Sequence, residues 1–290
     1  MKNSNSNNPS NAAIRLSYSS MKTLQSCEQK YHHYKVSGTP KDSDVVESNA
    51  MALGSAYHHV LENSMHTDKY DDSHILAAMA EHEVDGSDKD LLTVMLKKYV
   101  EFRKASGYKI IKCELAISTQ EYTGFIDFIA VKGNEFFIGD LKTAARFDET
   151  LLSRLPMDSQ LNLYAHFADQ VDIAVPEVKD LRFAGCLYNQ ATKSKAGTIS
   201  GLEKGVKIYE TFIPAEVMDP DVIWSIHSEM HDRARELHAG EAPRKNFAAC
   251  FDYFRPCEYF SKCYGSNFTE NYKKVKLTTI ETIKEEDELL

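Results

Sequence analysis

Two aspartates stand inside apolar runs, and they constrain this chain more than any other feature. Asp127 lies in Gly124-Phe125-Ile126-Asp127-Phe128-Ile129, and Asp140 lies in Gly139-Asp140-Leu141-Lys142-Thr143. The flanking runs, residues 108–117, 124–131 and 135–141, are short and rich in β-formers. Turns such as Lys132-Gly133-Asn134 separate them, so they read as a meander of consecutive strands. A carboxylate in an apolar strand is costly unless it is paired or bound to a metal. Asp140 and Lys142 are two residues apart and share a strand face, and neighbouring strands bring Asp127 beside Asp140.

Around the meander the period is helical. Helices are expected at residues 21–36, after the hydroxyls of Ser17, Ser19 and Ser20, and at 50–65, where Leu53, Tyr57, Val60, Leu61 and Met65 form a stripe. A charged, His-containing stretch separates these from helices at 91–104, at 157–168 and from Asp219-Pro220 to about residue 238. Two further strands, 181–188 and 206–213, flank a loop of Lys, Gly and Ser. The expectation is one α/β unit, a central mixed sheet flanked by helices, with helical N-terminal and Cys-containing C-terminal additions. Residues 1–15 read as a disordered, Asn/Ser-rich tail, 37–49 as a flexible loop, 16–268 as a single domain, and 269–290 as a charged tail.

The aspartate, aspartate and lysine set has two readings. One is a strand-end ion pair among Asp127, Asp140 and Lys142. The other is a hard divalent cation, Mg²⁺ or Mn²⁺, between carboxylates that otherwise repel. Lys142 would then help to position or deprotonate a water and offset phosphate charge. Glu114, on the preceding strand, either joins the acidic cluster or faces solvent. His58, in Gly54-Ser55-Ala56-Tyr57-His58-His59-Val60-Leu61-Glu62, is either a core histidine or a nitrogen ligand, with Glu62 one turn on along the same face. Gly54 and Ala56 let this helix approach the sheet, and His59 points elsewhere. Gln160 and Tyr164, again one turn apart, hydrogen-bond a phosphate, organise the lysine, or form the polar edge of a surface helix with Tyr164 packed down.

Taken in order, Gly54-x-x-x-His58-x-x-Leu61-Glu62, Gly124-x-Ile126-Asp127, Asp140-x-Lys142-Thr143 and Gln160-x-x-x-Tyr164 resemble the PD-(D/E)XK nucleases, in particular the RecB-like and Cas4-like exonuclease branch. Ser17-Tyr18-Ser19 with Cys27 and Tyr31 is similar to the start of that domain, so the likeness spans residues 17–263. It implies a restriction-endonuclease-like core and a metal-dependent phosphodiesterase acting on DNA from an end. On this likeness His58, Asp127, Asp140 and the Leu141 carbonyl hold Mg²⁺ or Mn²⁺, and Lys142 is the catalytic lysine. Gln160 and Tyr164 support it, and Glu114 matches the acidic position less closely. An endonuclease of the same fold and a non-catalytic DNA-binding or assembly module are the alternatives.

Six cysteines are too sparse for a disulfide scaffold in 290 residues, and without an export signal a reducing compartment is expected. That is the cytoplasm, or the host cytoplasm if the protein is viral. Cys113 and Cys186 fall on strands and read as core. Iron–sulfur members of the resembling branch use one cysteine near the N-terminus and three beyond the core, positions that Cys27, Cys257 and Cys263 fit. The usual pattern wants a cysteine at Phe254, whereas Cys250 lies further upstream. The expectations are a [4Fe–4S] cluster, zinc, or thiols packed among aromatics such as Phe251, Tyr253, Phe254, Tyr259 and Phe260.

Forty-three acidic against thirty-four basic residues give a formal charge of -9, which argues against a protein that wraps nucleic acid over its whole surface. A local basic groove is compatible with it. Lys193, Lys195, Lys204 and Lys207 form one such group, either following a DNA backbone or simply solvated. No apolar run approaches membrane-span length. No Gly-x4-Gly-Lys-Ser/Thr loop is present, so a helicase partner would be a separate protein.

Overall fold

Five strands form the centre of the structure: β1 (Lys109–Ser118), β2 (Thr123–Lys132), β3 (Glu135–Ala144), β4 (Arg182–Thr192) and β5 (Ile208–Pro214). They hydrogen-bond in the order β1-β2-β3-β4-β5. The β1–β2, β2–β3 and β4–β5 pairs are antiparallel, and β3–β4 is parallel. The sheet is therefore mixed, as expected, and the one parallel step takes a helical crossover. The computed structural model describes residues 13–42, 49–65, 69–252 and 255–265. Residues 1–12 of the expected tail, residues 43–48 of the expected loop, Tyr253, Phe254 and the charged segment 269–290 lie outside the described residues.

The chain divides into two compact units, Met1–Met21 with Glu47–Arg235 and Lys22–Val46 with Glu236–Leu290. In the first, α1 (Asn49–Ser64), α2 (Asp72–Glu81) and α3 (Lys89–Ser106) cover one face of the sheet. Leu53, Tyr57, Leu61, Met95 and Tyr99 share a core there with Phe128, Ala130 and Phe137. On the other face α4 (Ser159–His166) and α5 (Ala168–Ala174) place Leu161, Leu163 and Val171 against Ile126, Ile129 and Ile138. A sheet buried on both sides explains the near-continuous apolar runs of β2 and β3. Cys113 and Cys186 are both buried core residues of this unit.

Two glycines permit close approaches that position the site. A methyl at Gly54 would stand 2.8 Å from Thr143 Oγ1, so α1 meets the end of β3 as Gly54 suggests. A methyl at Gly139 would stand 2.0 Å from the Phe128 ring. That ring, directly opposite in the β2–β3 register, therefore needs glycine beneath it.

Two expected helices differ. The helix expected at 21–36 is two α-helices, Tyr18–Ser26 and Glu28–Tyr31, followed by a π-helical turn, His32–Val36. The break falls at Cys27, whose backbone is extended (φ -162°, ψ 115°). The helix expected at 157–168 starts after Asp158, whose carboxylate accepts from the Gln160 and Leu161 N–H groups, and divides at Phe167 into α4 and α5. Further helices form where none was expected, α2 and Ile199–Gly205 among them. α2 is held by a reciprocal cap between Asp71 and His74. Ile199–Gly205 forms inside the expected loop because Thr198 caps it.

The second unit joins the Cys27-to-Val36 turns to short C-terminal elements, a two-residue hairpin of Phe251–Asp252 and Arg255–Pro256 and a helix Phe260–Tyr264. Lys30 pairs with Glu258 at 2.9 Å, Gln29 N–H donates to Arg244 O at 3.1 Å, and Ser261 N–H donates to Asp42 at 2.9 Å. Among the described residues no helix is long and apolar enough to cross a membrane.

Candidate active site

The β1–β2 ladder pairs Cys113 with Phe128 and Leu115 with Ile126, and leaves Glu114 and Asp127 as an unpaired rung between them. Side chains two apart on a strand should share a face. Here Cys113 and Phe128 enter one core layer, while Leu115 and Ile126 enter the other. Both strands rotate at this single rung, and Glu114 takes a left-handed backbone (φ 47°). For a non-glycine residue that costs of order 1–3 kcal/mol and persists only where the surroundings hold it. Two carboxylates are thereby placed at one level of the sheet.

Asp140 follows on β3, its side chain only 1% exposed. Lys142 Nζ donates to Asp140 Oδ1 at 2.6 Å, as the strand period suggests. Asp127 Oδ2 accepts from the Leu141 N–H at 2.6 Å and lies 3.8 Å from His58 Nδ1 on α1. The structure thus brings His58, Asp127, Asp140, Leu141 and Lys142 together.

Burial controls the electrostatics. It pushes the Asp127 carboxyl up to about 6, against the lowering effect of Lys142 and of the Leu141 N–H. It pushes Asp140 up to about 7 against Lys142, with Asp127 adding to the rise. Burial and then Lys142 hold His58 down at about 4, so its imidazole is neutral; one ring nitrogen hydrogen-bonds the Leu141 backbone, and the other can act as a ligand. For Lys142 burial opposes the charge, but Asp140 and Asp127 outweigh it and raise the pKa. Glu114 is pushed up to about 8, first by burial and then by Glu62, with which it shares a hydrogen bond.

One atom tests whether a cation fits. Asp140 Oδ2 is buried and has no hydrogen-bond partner. An unpartnered carboxylate oxygen in a low-dielectric site costs several kcal/mol. A hard divalent ion bound by oxygen and one imidazole supplies the missing partner.

Gln160 and Tyr164 act on each other. Gln160 Nε2 donates to the Tyr164 hydroxyl at 2.7 Å, and that hydroxyl donates to Phe125 O at 2.6 Å. The buried tyrosine ties α4 to β2 two residues before Asp127, so its hydrogen bonds position the strand. Lys193 Nζ donates to Ala50 O at 2.6 Å and lines the same pocket as His58 and Lys142, a cleft of ≈ 780 Å³. Lys195, Lys204 and Lys207 are exposed.

Two groups have neighbours that the sequence did not indicate. Glu62 is one turn beyond His58, so the helical period puts it on this face, but only the fold shows that Glu114 meets it. His59, expected to point elsewhere, instead has its ligand nitrogen within 4.8 Å of ligand atoms of Glu81 and His82. No helix was expected at α2, so nothing in the sequence placed its C-terminal residues here.

Cys27, Cys250, Cys257 and Cys263 belong to the second unit and line one pocket within it. All four are free and half-buried. Burial raises the Cys257 and Cys263 thiols. Among the described residues no three of these sulfurs lie within 4.8 Å of one another, so they do not form a closed tetrahedral site.

A family profile described as the PD-(D/E)XK nuclease superfamily matches residues 15–264. No curated protein matches the chain. Among solved structures, a candidate exonuclease from Eubacterium rectale covers 97% of this chain and 96% of its own at 11% identity, with a TM-score of 0.50. At that identity the likeness concerns the fold alone. The structure of SSO0001 covers 70% of this chain and 82% of its own at 12% identity, with a TM-score of 0.27.

Proposed function

Given that the chain belongs to the PD-(D/E)XK nuclease superfamily, we propose that it is a deoxyribonuclease of the RecB-like and Cas4-like branch, dependent on Mg²⁺ or Mn²⁺ and hydrolysing phosphodiester bonds from DNA ends in recombination, repair or viral DNA metabolism. The observation that carries this is Asp140, buried with one oxygen on Lys142 and the other without a partner. His58, Asp127, Asp140 and the Leu141 carbonyl would hold the ion, with Glu114 beside them. When bound, Mg²⁺ or Mn²⁺ supplies a water of lowered pKa and offsets charge on the phosphoryl oxygens.

The chain's own groups do the rest. Lys142, kept charged by Asp140 and Asp127, donates hydrogen bonds to the attacking water and to the phosphoryl group as its charge grows. Asp140 fixes the lysine's ammonium at 2.6 Å, so little reorganisation is needed during the reaction. Neutral His58 offers a nitrogen without adding positive charge. Tyr164 and Gln160 hold β2 in place. Lys193 at the cleft, with Lys195, Lys204 and Lys207, follows the phosphate backbone. A separate helicase or recombination protein would deliver the ends, and the cytoplasm is the expected compartment.

The test compares linear single-stranded, linear duplex and closed circular DNA with Mg²⁺, Mn²⁺ or EDTA. The expected result is metal-dependent loss of linear substrates while closed circles persist. Equal cleavage of circles would assign an endonuclease, and no metal-dependent cleavage of any DNA would leave a binding module.

The four cysteines of the second unit form a further part of this reading: they hold a [4Fe–4S] cluster. Their convergence on one pocket supports it. Zinc fits less well, because tetrahedral ligation at a Zn–S distance of about 2.3 Å needs sulfurs roughly 3.8 Å apart. Anaerobically purified protein should be brown with about four irons per chain. Colourless, iron-free protein would remove the cluster from the account.

A further inference from the structure

The pocket that exposes His58 and Lys142 is also lined by His59, Glu81 and His82, a group the nuclease reading does not use. Their ligand atoms all lie within 4.8 Å of one another. His59 Nδ1 is 3.4 Å from Glu81 Oε2, and the His59 and His82 rings meet edge to face with centroids 5.5 Å apart. An ion pair would account for the first contact. It leaves His82 unexplained, because its Nε2 is buried and has no hydrogen-bond partner. A buried nitrogen with nothing bound to it is unfavourable.

The backbone holds the two residues from α2 in place. That helix closes with Val84 N–H donating to Met79 O at 2.9 Å and Glu83 N–H to Ala80 O at 3.4 Å, the pattern of a left-handed helix stop. The left-handed position usually belongs to glycine but here is Glu83, with φ 54°. The closure fixes Glu81 and His82 immediately before it, while α1 presents His59. Two imidazoles and one carboxylate make a three-ligand set that leaves a fourth tetrahedral position open. Imidazole ligation favours zinc-class transition ions over Mg²⁺.

We propose that His59, Glu81 and His82 form a second metal site, for a zinc-class transition ion, separate from the carboxylate site and opening onto the same pocket. Its fourth position takes water or an anionic oxygen entering that pocket. The site stands on its own donors, whether or not the protein cleaves DNA.

The full chain, stripped with EDTA, is equilibrated with excess Zn²⁺ and desalted, and the zinc bound per chain is counted by elemental analysis. Wild type is compared with His82→Gln, Glu81→Gln and Asp140→Asn. The expected result is one zinc fewer per chain in His82→Gln and Glu81→Gln, and no loss from this site in Asp140→Asn. Zinc should also raise the thermal midpoint of wild type more than that of either α2 variant. Each melt is referenced to the same variant in EDTA, which separates ligand loss from a folding defect. Equal zinc content and equal thermal gain in wild type and both α2 variants would overturn the site. Loss of the same zinc in Asp140→Asn would assign it to the carboxylates instead, and would equally overturn it.

Discussion

Lys142→Met should lower the rate of DNA hydrolysis at saturating Mn²⁺ by at least ~100-fold, the range expected when a positioned proton donor is lost. The ammonium is held 2.6 Å from Asp140 and kept charged by both aspartates, so no other described group stands in its place. Removing it leaves the Asp140 charge buried and unpaired, which alone costs about 3–5 kcal/mol when nothing replaces the partner. The assay therefore includes the thermal midpoint with Mn²⁺ present, where the ion offsets the lost charge. Folded, DNA-binding protein with a collapsed single-turnover rate is the expected outcome. A rate within a few-fold of wild type would remove Lys142 from the chemistry.

Asp140→Asn has the opposite effect on stability. Asp127 and Asp140 are both raised above their ordinary range, to about 6 and about 7, first by burial. The folded state therefore binds their protons more tightly than the unfolded chain does. For groups shifted this way, the stabilisation is complete below the unfolded pKa near 4 and is lost as pH rises through the folded values. In EDTA the two aspartates should cost the wild-type protein stability on the order of a few kcal/mol between pH 5 and pH 8, offset in part by the histidines that burial holds down, His58 among them. Asp140→Asn should flatten that dependence and raise the midpoint at pH 8, while abolishing hydrolysis. Chemical denaturation across pH reads both effects. A wild-type midpoint that changes from pH 5 to pH 8 in EDTA by the same amount as that of Asp140→Asn would contradict the burial argument.

Much of this site was legible in the sequence because it follows strand and helix periods. Asp140 and Lys142 share a face through the two-residue repeat, and His58 faces the sheet from a helix that Gly54 lets in close. Glu114 was legible only as one of two alternatives, because its role depends on a rung where the two-residue repeat fails. Its left-handed backbone turns both strands, and no local composition signals that. The same holds for α2. Its apolar stripe is thin, with Ile75, Ala78 and Met79 buried, and its start depends on an Asp71–His74 cap rather than the usual Ser/Thr and Glu. Missing α2 hid Glu81 and His82, and so the company His59 keeps. Tyr164 was legible as a helical partner of Gln160, but its bond to the Phe125 carbonyl is a tertiary fact. At the N-terminal helix the period continues past Cys27 in sequence, while the backbone does not.

The central claim is that the buried carboxylates Asp127 and Asp140 exist to hold a divalent cation, and binding of Mn²⁺ tests it most directly. EDTA-stripped wild type and Asp140→Asn are titrated with Mn²⁺, and the free ion is followed by its solution EPR signal. Wild type should deplete the free signal and Asp140→Asn should lose that depletion, with His82→Gln behaving as wild type. Depletion by Asp140→Asn equal to that of wild type would contradict the account.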